Sequence, residues 1–151
     1  MNKFMRQAIN EAKKGIDHVH GGPFGAVVVK DGVVIAKGHN TVLKDNDPTA
    51  HGEVNAIRKA TKKLKSFDLT GCEIYTTGEP CPMCLGAILW ANIDKVYFGA
   101  NIDDTEKIGF RDSVFYEIAN GKKEQILQEL DRKAVLKLYQ YYLDKEHRPN
   151  Y

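Results

Sequence analysis

Apolar positions Phe4, Met5, Ala8, Ile9 and Ala12 recur at helical spacing, and Gly15 can end the helix they predict. Glycines crowd the stretch 21–25 and predict a loop. Two runs, AVVVK (26–30) and VVIAKG (33–38), then flank Asp31-Gly32, a strong hairpin signal. Neither run alternates apolar with polar residues, which suits strands in a sheet covered on both faces. NDPTA (46–50) reads as a loop into a helix. Ala50, Val54, Ile57 and Leu64 fall on one face of that helix, with Arg58, Lys59, Lys62 and Lys63 mostly off it. CEIYTT (72–77), introduced by Gly71, and KVYFGA (95–100) read as strands. Between them, the segment from Pro80 to Trp90 is apolar nearly all round and predicts a buried helix. Residues 101–112 read as a polar, glycine-containing connection, followed by helical segments near 113–119, 123–132 and 135–146. The order predicts one α/β domain over 1–151, a three-layer α/β/α sandwich around a mixed sheet, with right-handed crossovers.

Composition narrows the function classes. The 151 residues are 42% hydrophobic and 28% charged, and the formal net charge is +2, too small to argue for nucleic acid or a membrane surface. No stretch approaches the roughly 20 apolar residues of a membrane span, and the N-terminus mixes charge with apolar residues, so a cytoplasmic protein is expected. Three cysteines, Cys72, Cys81 and Cys84, do not suggest a disulfide scaffold; a metal or reactive site fits them better.

Two short stretches carry the chemistry. In TAHGEVNAI (49–57), His51 and Glu53 stand at a helix start. A capping box fails there by one register: Thr49 would need an acidic residue at Gly52, and placing Glu53 third makes Ala50 the cap. Glu53 could still favour the positive end of the helix. In GEPCPMCLGA (78–87), Cys81 and Cys84 are spaced i, i+3 at a helix N-terminus, with Pro82 suited to the first helical position; the helix dipole favours thiolate there. Two thiolates and one imidazole are three good zinc ligands, and three protein ligands leave a position for water, as in catalytic sites. Glu53, two residues from His51, is off the ligand face but can reach the bound water. The pair Cys81/Cys84 is also compatible with a redox couple, or with half of a zinc knuckle that would recruit His18, His20, His39 or Cys72. Cys72 fits better as a small core residue, and His18 and His20 as solvated residues. The combined signature is that of the zinc deaminases.

HGE followed by PCPMC resembles the cytidine deaminase superfamily. GGPFGAVVVKDG, GHN, NDPTAHGEV and EPCPMCLGAILWA resemble the bacterial guanine deaminases within it. The likeness is dense over 21–91 and resumes at GFRDS (109–113). It implies a central mixed sheet of five strands. It implies one zinc per chain on His51, Cys81 and Cys84, with Glu53 shuttling protons in a hydrolytic deamination, guanine to xanthine and ammonia. Phe24 and Trp90 would wall the purine, Asn40 and the backbone N–H of Gly52 would bond the base edge, and Asp112 would serve the substrate amino group. Position 52 is usually alanine in the family. Tyr151 would close the site from the neighbouring subunit of a homodimer in which the segment from about 113 is exchanged. Without the resemblance, Phe24 and Trp90 also read as core, Asn40 as a turn residue, Asp112 as a helix cap and Tyr151 as a chain end. A tRNA adenosine deaminase, a nucleoside or other nucleobase deaminase, and a non-catalytic zinc-stabilised binding module are the alternatives.

Overall fold

The computed structural model describes residues 1–121 and 131–144. Helix α1 (Lys3–Asp17) is followed by strands β1 (Gly25–Lys30) and β2 (Val33–His39), a short helix α2 (Val42–Asp45), α3 (Gly52–Leu64), β3 (Cys72–Gly78), α4 (Pro82–Trp90) and β4 (Lys95–Ala100). Three further helices follow among the described residues: α5 (Ile102–Lys107), α6 (Asp112–Ala119) and α7 (Arg132–Leu143).

The hairpin forms where Asp31-Gly32 puts it. Both residues have positive φ, 50° and 74°, as a turn matching the twist of its strands requires. Pairing is antiparallel for β1–β2 and β1–β3 and parallel for β3–β4, giving the order β2-β1-β3-β4. The sheet therefore has four strands among the described residues, not five. The chain after β4 runs into helices: its described part carries 3.6-residue patterning and caps, with no further β-branched run to extend the sheet.

The continuous apolar run of β1 is explained by burial on both faces. Val27 and Val29 pack with Phe4, Ala8 and Tyr75 on the α1 side. Ala26 and Val28 pack with Ala56, Ala60, Ile74 and Ile88 on the α3/α4 side. A register shift between Val28 and Val29 bends the edge strand β2, which is only partly buried.

Four expectations need correcting. Helix α1 runs past Gly15 to Asp17; Gly15 is buried within it, and a Cβ there would stand 2.9 Å from the His39 ring. The buried stripe of α3 is Gly52, Glu53, Ala56 and Ala60, while Val54, Ile57 and Leu64 lie at its margin. Small residues are needed because α3 crosses β2 at Gly38, where a Cβ would meet the Ala56 nitrogen and the Gly52 carbonyl oxygen at 2.5 Å. Helix α4 is buried on one side only: Met83, Leu89 and Trp90 are exposed. The connection at 101–112 contains α5, started by a capping box in which Asn101 Oδ1 accepts from the Asp104 N–H at 2.9 Å and Asp104 Oδ2 accepts from the Asn101 N–H at 3.3 Å.

Candidate metal centre and active site

The first turns of α3 and α4 bring the two motifs together. His51 is the N-cap residue of α3 and Cys81 that of α4, both with extended backbone (φ −70°, ψ 159° and φ −65°, ψ 167°), and neither side chain caps its own helix. Pro82 follows Cys81 inside the first turn of α4, where its missing N–H costs nothing. The side chains turn instead towards one point. His51 Nδ1 lies 3.7 Å from Cys81 Sγ and 3.4 Å from Cys84 Sγ, and the three donor atoms lie within 4.8 Å of one another. Zinc–ligand bonds of about 2.3 Å to sulfur and about 2.0–2.1 Å to nitrogen, at tetrahedral angles, imply a donor separation of about 3.6 Å. The three side chains therefore fit a zinc ion. Among the described residues no fourth histidine, cysteine or carboxylate joins the group, which leaves one tetrahedral position to water or substrate.

The rival fourth ligands lie elsewhere. Cys72 is fully buried in the core between the sheet and α3/α4. His18 is exposed at the end of α1. His20 is half-buried rather than fully solvated, its Nδ1 2.9 Å from His39 Nε2, and His39 in turn lies 3.4 Å from Glu11.

A cleft of about 330 Å³, counting its open mouth, lies over the metal ligands. His51, Cys81, Glu53, Asn40, Phe24 and Asp112 all line it. Glu53 is 6% exposed in the first turn of α3, and burial pushes its carboxyl up from the usual range. Asp112, the first residue of α6 and not its cap, is likewise raised, by burial and then by the Cys81 sulfur. Without metal, the adjoining Cys84 thiol, opposed by burial and joined by His51, holds Cys81 down at about 4, while Cys84 is driven up by Cys81 and by burial.

Asn40 is buried, its N–H donates to the Phe24 carbonyl at 2.8 Å, and its Oδ1 accepts from the Val42 N–H at 3.1 Å. That bond orients the amide and commits its oxygen, leaving Nδ2 as a donor. Gly52 opens α3, where a first-turn N–H has no acceptor within the helix. A Cβ on Gly52 would approach the Phe24 carbonyl oxygen to 2.9 Å, so glycine here lets α3 sit closer to β1 than alanine would.

Trp90 is not brought to this cleft. It is 68% exposed at the far end of α4, beside Gly86, Leu89 and Asn92. Tyr151 lies outside the described residues. Three residues not singled out by sequence reasoning belong to the site. Glu79 lines the cleft and its Oε2 accepts from the Ile102 N–H at 3.0 Å, anchoring α5. Phe110 meets Phe24 edge-on, ring centroids 4.8 Å apart. Tyr116 donates to the Pro80 carbonyl at 2.6 Å, and burial, then Glu79 and Cys81, push its phenol up, so it stays protonated. Glu79 and Phe110 stood inside the quoted motifs EPC and GFRDS, so proximity to them was an available signal; Tyr116 had none.

Comparison with known proteins agrees with this geometry. Residues 1–100 match the model of the cytidine and deoxycytidylate deaminase zinc-binding region. Guanine deaminase of Bacillus subtilis (strain 168) is 52% identical over 114 residues, 76% of this chain and 73% of that protein. The tRNA-specific adenosine deaminase of Aquifex aeolicus is 44% identical over 97 residues, 64% of each. An X-ray structure of guanine deaminase from Bacillus subtilis superposes with a TM-score of 0.91 at 42% identity, covering 100% of this chain and 99% of that one. A family match across 1–100, a relative of this closeness and a metal cradle of the right donors and spacing show that the chain belongs to the cytidine and deoxycytidylate deaminase family and is a zinc-dependent deaminase.

Proposed function

We propose that the chain hydrolyses guanine to xanthine and ammonia. The observation that carries this reading is structural likeness to a guanine deaminase over 100% of the chain at a TM-score of 0.91, whereas a tRNA:A34 deaminase structure covers 65% of it at 0.63.

His51, Cys81 and Cys84 would hold the zinc, which when bound would lower the pKa of a water from about 15.7 to about 7 and so supply a nucleophile at neutral pH. Glu53, with its carboxyl raised by burial, takes the proton of the attacking water and passes it to the ring nitrogen beside the carbon under attack. The second proton of that water then passes from the new hydroxyl to the amino nitrogen, the bond from the carbon to that nitrogen breaks, and ammonia leaves, with Asp112 serving the departing amino group. Phe24 walls the purine, Asn40 Nδ2 and the Gly52 N–H hold its edge, and Tyr151 closes the site.

The tRNA reading loses support from the basic face of α3. Lys59 Nζ donates to the Lys37 carbonyl at 3.0 Å, Lys63 Nζ to the Ile35 carbonyl at 3.1 Å, and Arg58 stands 3.7 Å from Asp47. These cations are engaged on the edge strand and the preceding loop rather than presented to phosphate.

Among the described residues no helix is long and apolar enough to cross a membrane. We read a cytoplasmic enzyme of one domain that works as a homodimer, with its C-terminal helical segment exchanged between the subunits. Ammonia release from guanine, guanosine, cytosine, cytidine, adenine and a tRNA anticodon stem-loop tests the substrate. Guanine is expected to give the highest kcat/KM; preference for the stem-loop or a nucleoside overturns the proposal.

A further inference from the structure

Helix α6 carries Asp112 into the cleft and packs beside α5 and α4. It has eight residues, none of them buried. Its N-cap, Arg111, makes no side-chain capping bond, and the chain enters it after Gly109, at φ 94°. The Asp112 carboxylate makes no side-chain hydrogen bond among the described residues, so its position is that of the helix.

A hydrogen bond joins this helix to the loop that carries the metal ligands. Tyr116 Oη donates to the Pro80 carbonyl at 2.6 Å, and Pro80 is buried and directly precedes Cys81. Asp112 and Tyr116 are four residues apart, hence on one face of α6. The face that presents the carboxylate to the cleft is therefore the face pinned to the Cys81–Cys84 turn. We infer that Tyr116 is a positioning residue for the deamination: its hydroxyl, bonded to the Pro80 carbonyl, holds Asp112 at its working place over the metal cradle. The inference rests on the role given to Asp112 under the proposed function.

A double-mutant cycle on the zinc-loaded full chain tests it. Wild type, Tyr116→Phe, Asp112→Asn and the double variant are compared for zinc content, kcat and KM on guanine (or on whichever base of the panel the wild type prefers), and backbone hydrogen exchange. All four should hold one zinc per chain. Tyr116→Phe should lower kcat/KM about 2- to 13-fold, the loss of one net hydrogen bond, and should speed exchange over 113–119 but not in α3 or α4. In the Asp112→Asn background the same change should have no further effect, because the group it positions is gone. Equal losses with and without Asp112, or unchanged kcat/KM in Tyr116→Phe, overturn the inference. Full activity of Asp112→Asn would overturn it as well, through the role of Asp112. The base that the wild type prefers reports on the substrate reading separately.

Discussion

At the scale of single residues, the site replaces two helix caps by two metal ligands. His51 and Cys81 hold the N-cap positions of α3 and α4 with cap-like backbone angles but no capping bond. A hydroxyl or carboxamide there would stabilise each helix by about 0.5–2 kcal/mol relative to alanine; metal binding, which couples directly to folding, offsets that loss. The exchange explains why a capping box fails at 49–53 although a helix begins there. Glu53 then occupies the first turn as a buried acid outside the group of three donors. Glu53→Gln keeps shape and hydrogen-bonding capacity but cannot carry the proton. It should retain one zinc by elemental analysis and lose about 10²–10⁴-fold in kcat. Near-normal turnover, or loss of the metal, would reject the proton-shuttle role.

At the scale of elements, the position of His51 depends on how closely α3 lies on the hairpin. Gly38 on β2 faces the α3 backbone, with Ala56 and Ala60 fully buried at the crossing. Lys59 and Lys63 reach over the same crossing to the carbonyls of the edge strand, which also blunts an edge open to pairing with another chain. A methyl group at Gly38 would meet backbone atoms at 2.5 Å that cannot rotate aside. Gly38→Ala should therefore destabilise the fold by about 1–3 kcal/mol, seen as a fall of several degrees in Tm. It should also reduce zinc occupancy by tilting His51 away from the cysteines. A Tm within a degree of wild type would show that α3 can slide without loss.

At the scale of the molecule, α4 presents its ligand-bearing end inward and an apolar stripe outward. Met83, Leu89 and Trp90 are 38%, 65% and 68% exposed, the kind of surface that marks an interface. We propose this stripe as the subunit contact of the homodimer. Leu89→Asp should turn a dimer into a monomer in sedimentation velocity. Removing residues 147–151 should leave fold and zinc intact but lower turnover, and mixing that truncation with Glu53→Gln chains should restore part of it. A wild-type monomer would dismiss both the contact and the exchange, and failure of confirmed mixed dimers to recover would confine the tail to its own subunit.

The strands, the Asp31-Gly32 turn, the two ligand motifs and the acid two residues beyond His51 were legible in the sequence, because each depends on local spacing: an alternation or run, a turn dipeptide, a helical i, i+3 step. Helix α5 also had a local sign, the Asn101–Asp104 capping pair, but too few apolar residues for periodicity to reveal it. What only the tertiary structure decided depends on contacts between distant segments. Trp90 sits in the same apolar helix as Cys84, yet the direction of α4 carries it away from the cleft to the surface. Glu79 and Phe110 join the site because β3 and the loop after α5 end at the same edge, and Tyr116 matters only because α6 folds back onto Pro80, 36 residues earlier. Periodicity shows that a face is apolar; which element covers it, and which face stays bare, is set by packing that no window of sequence contains.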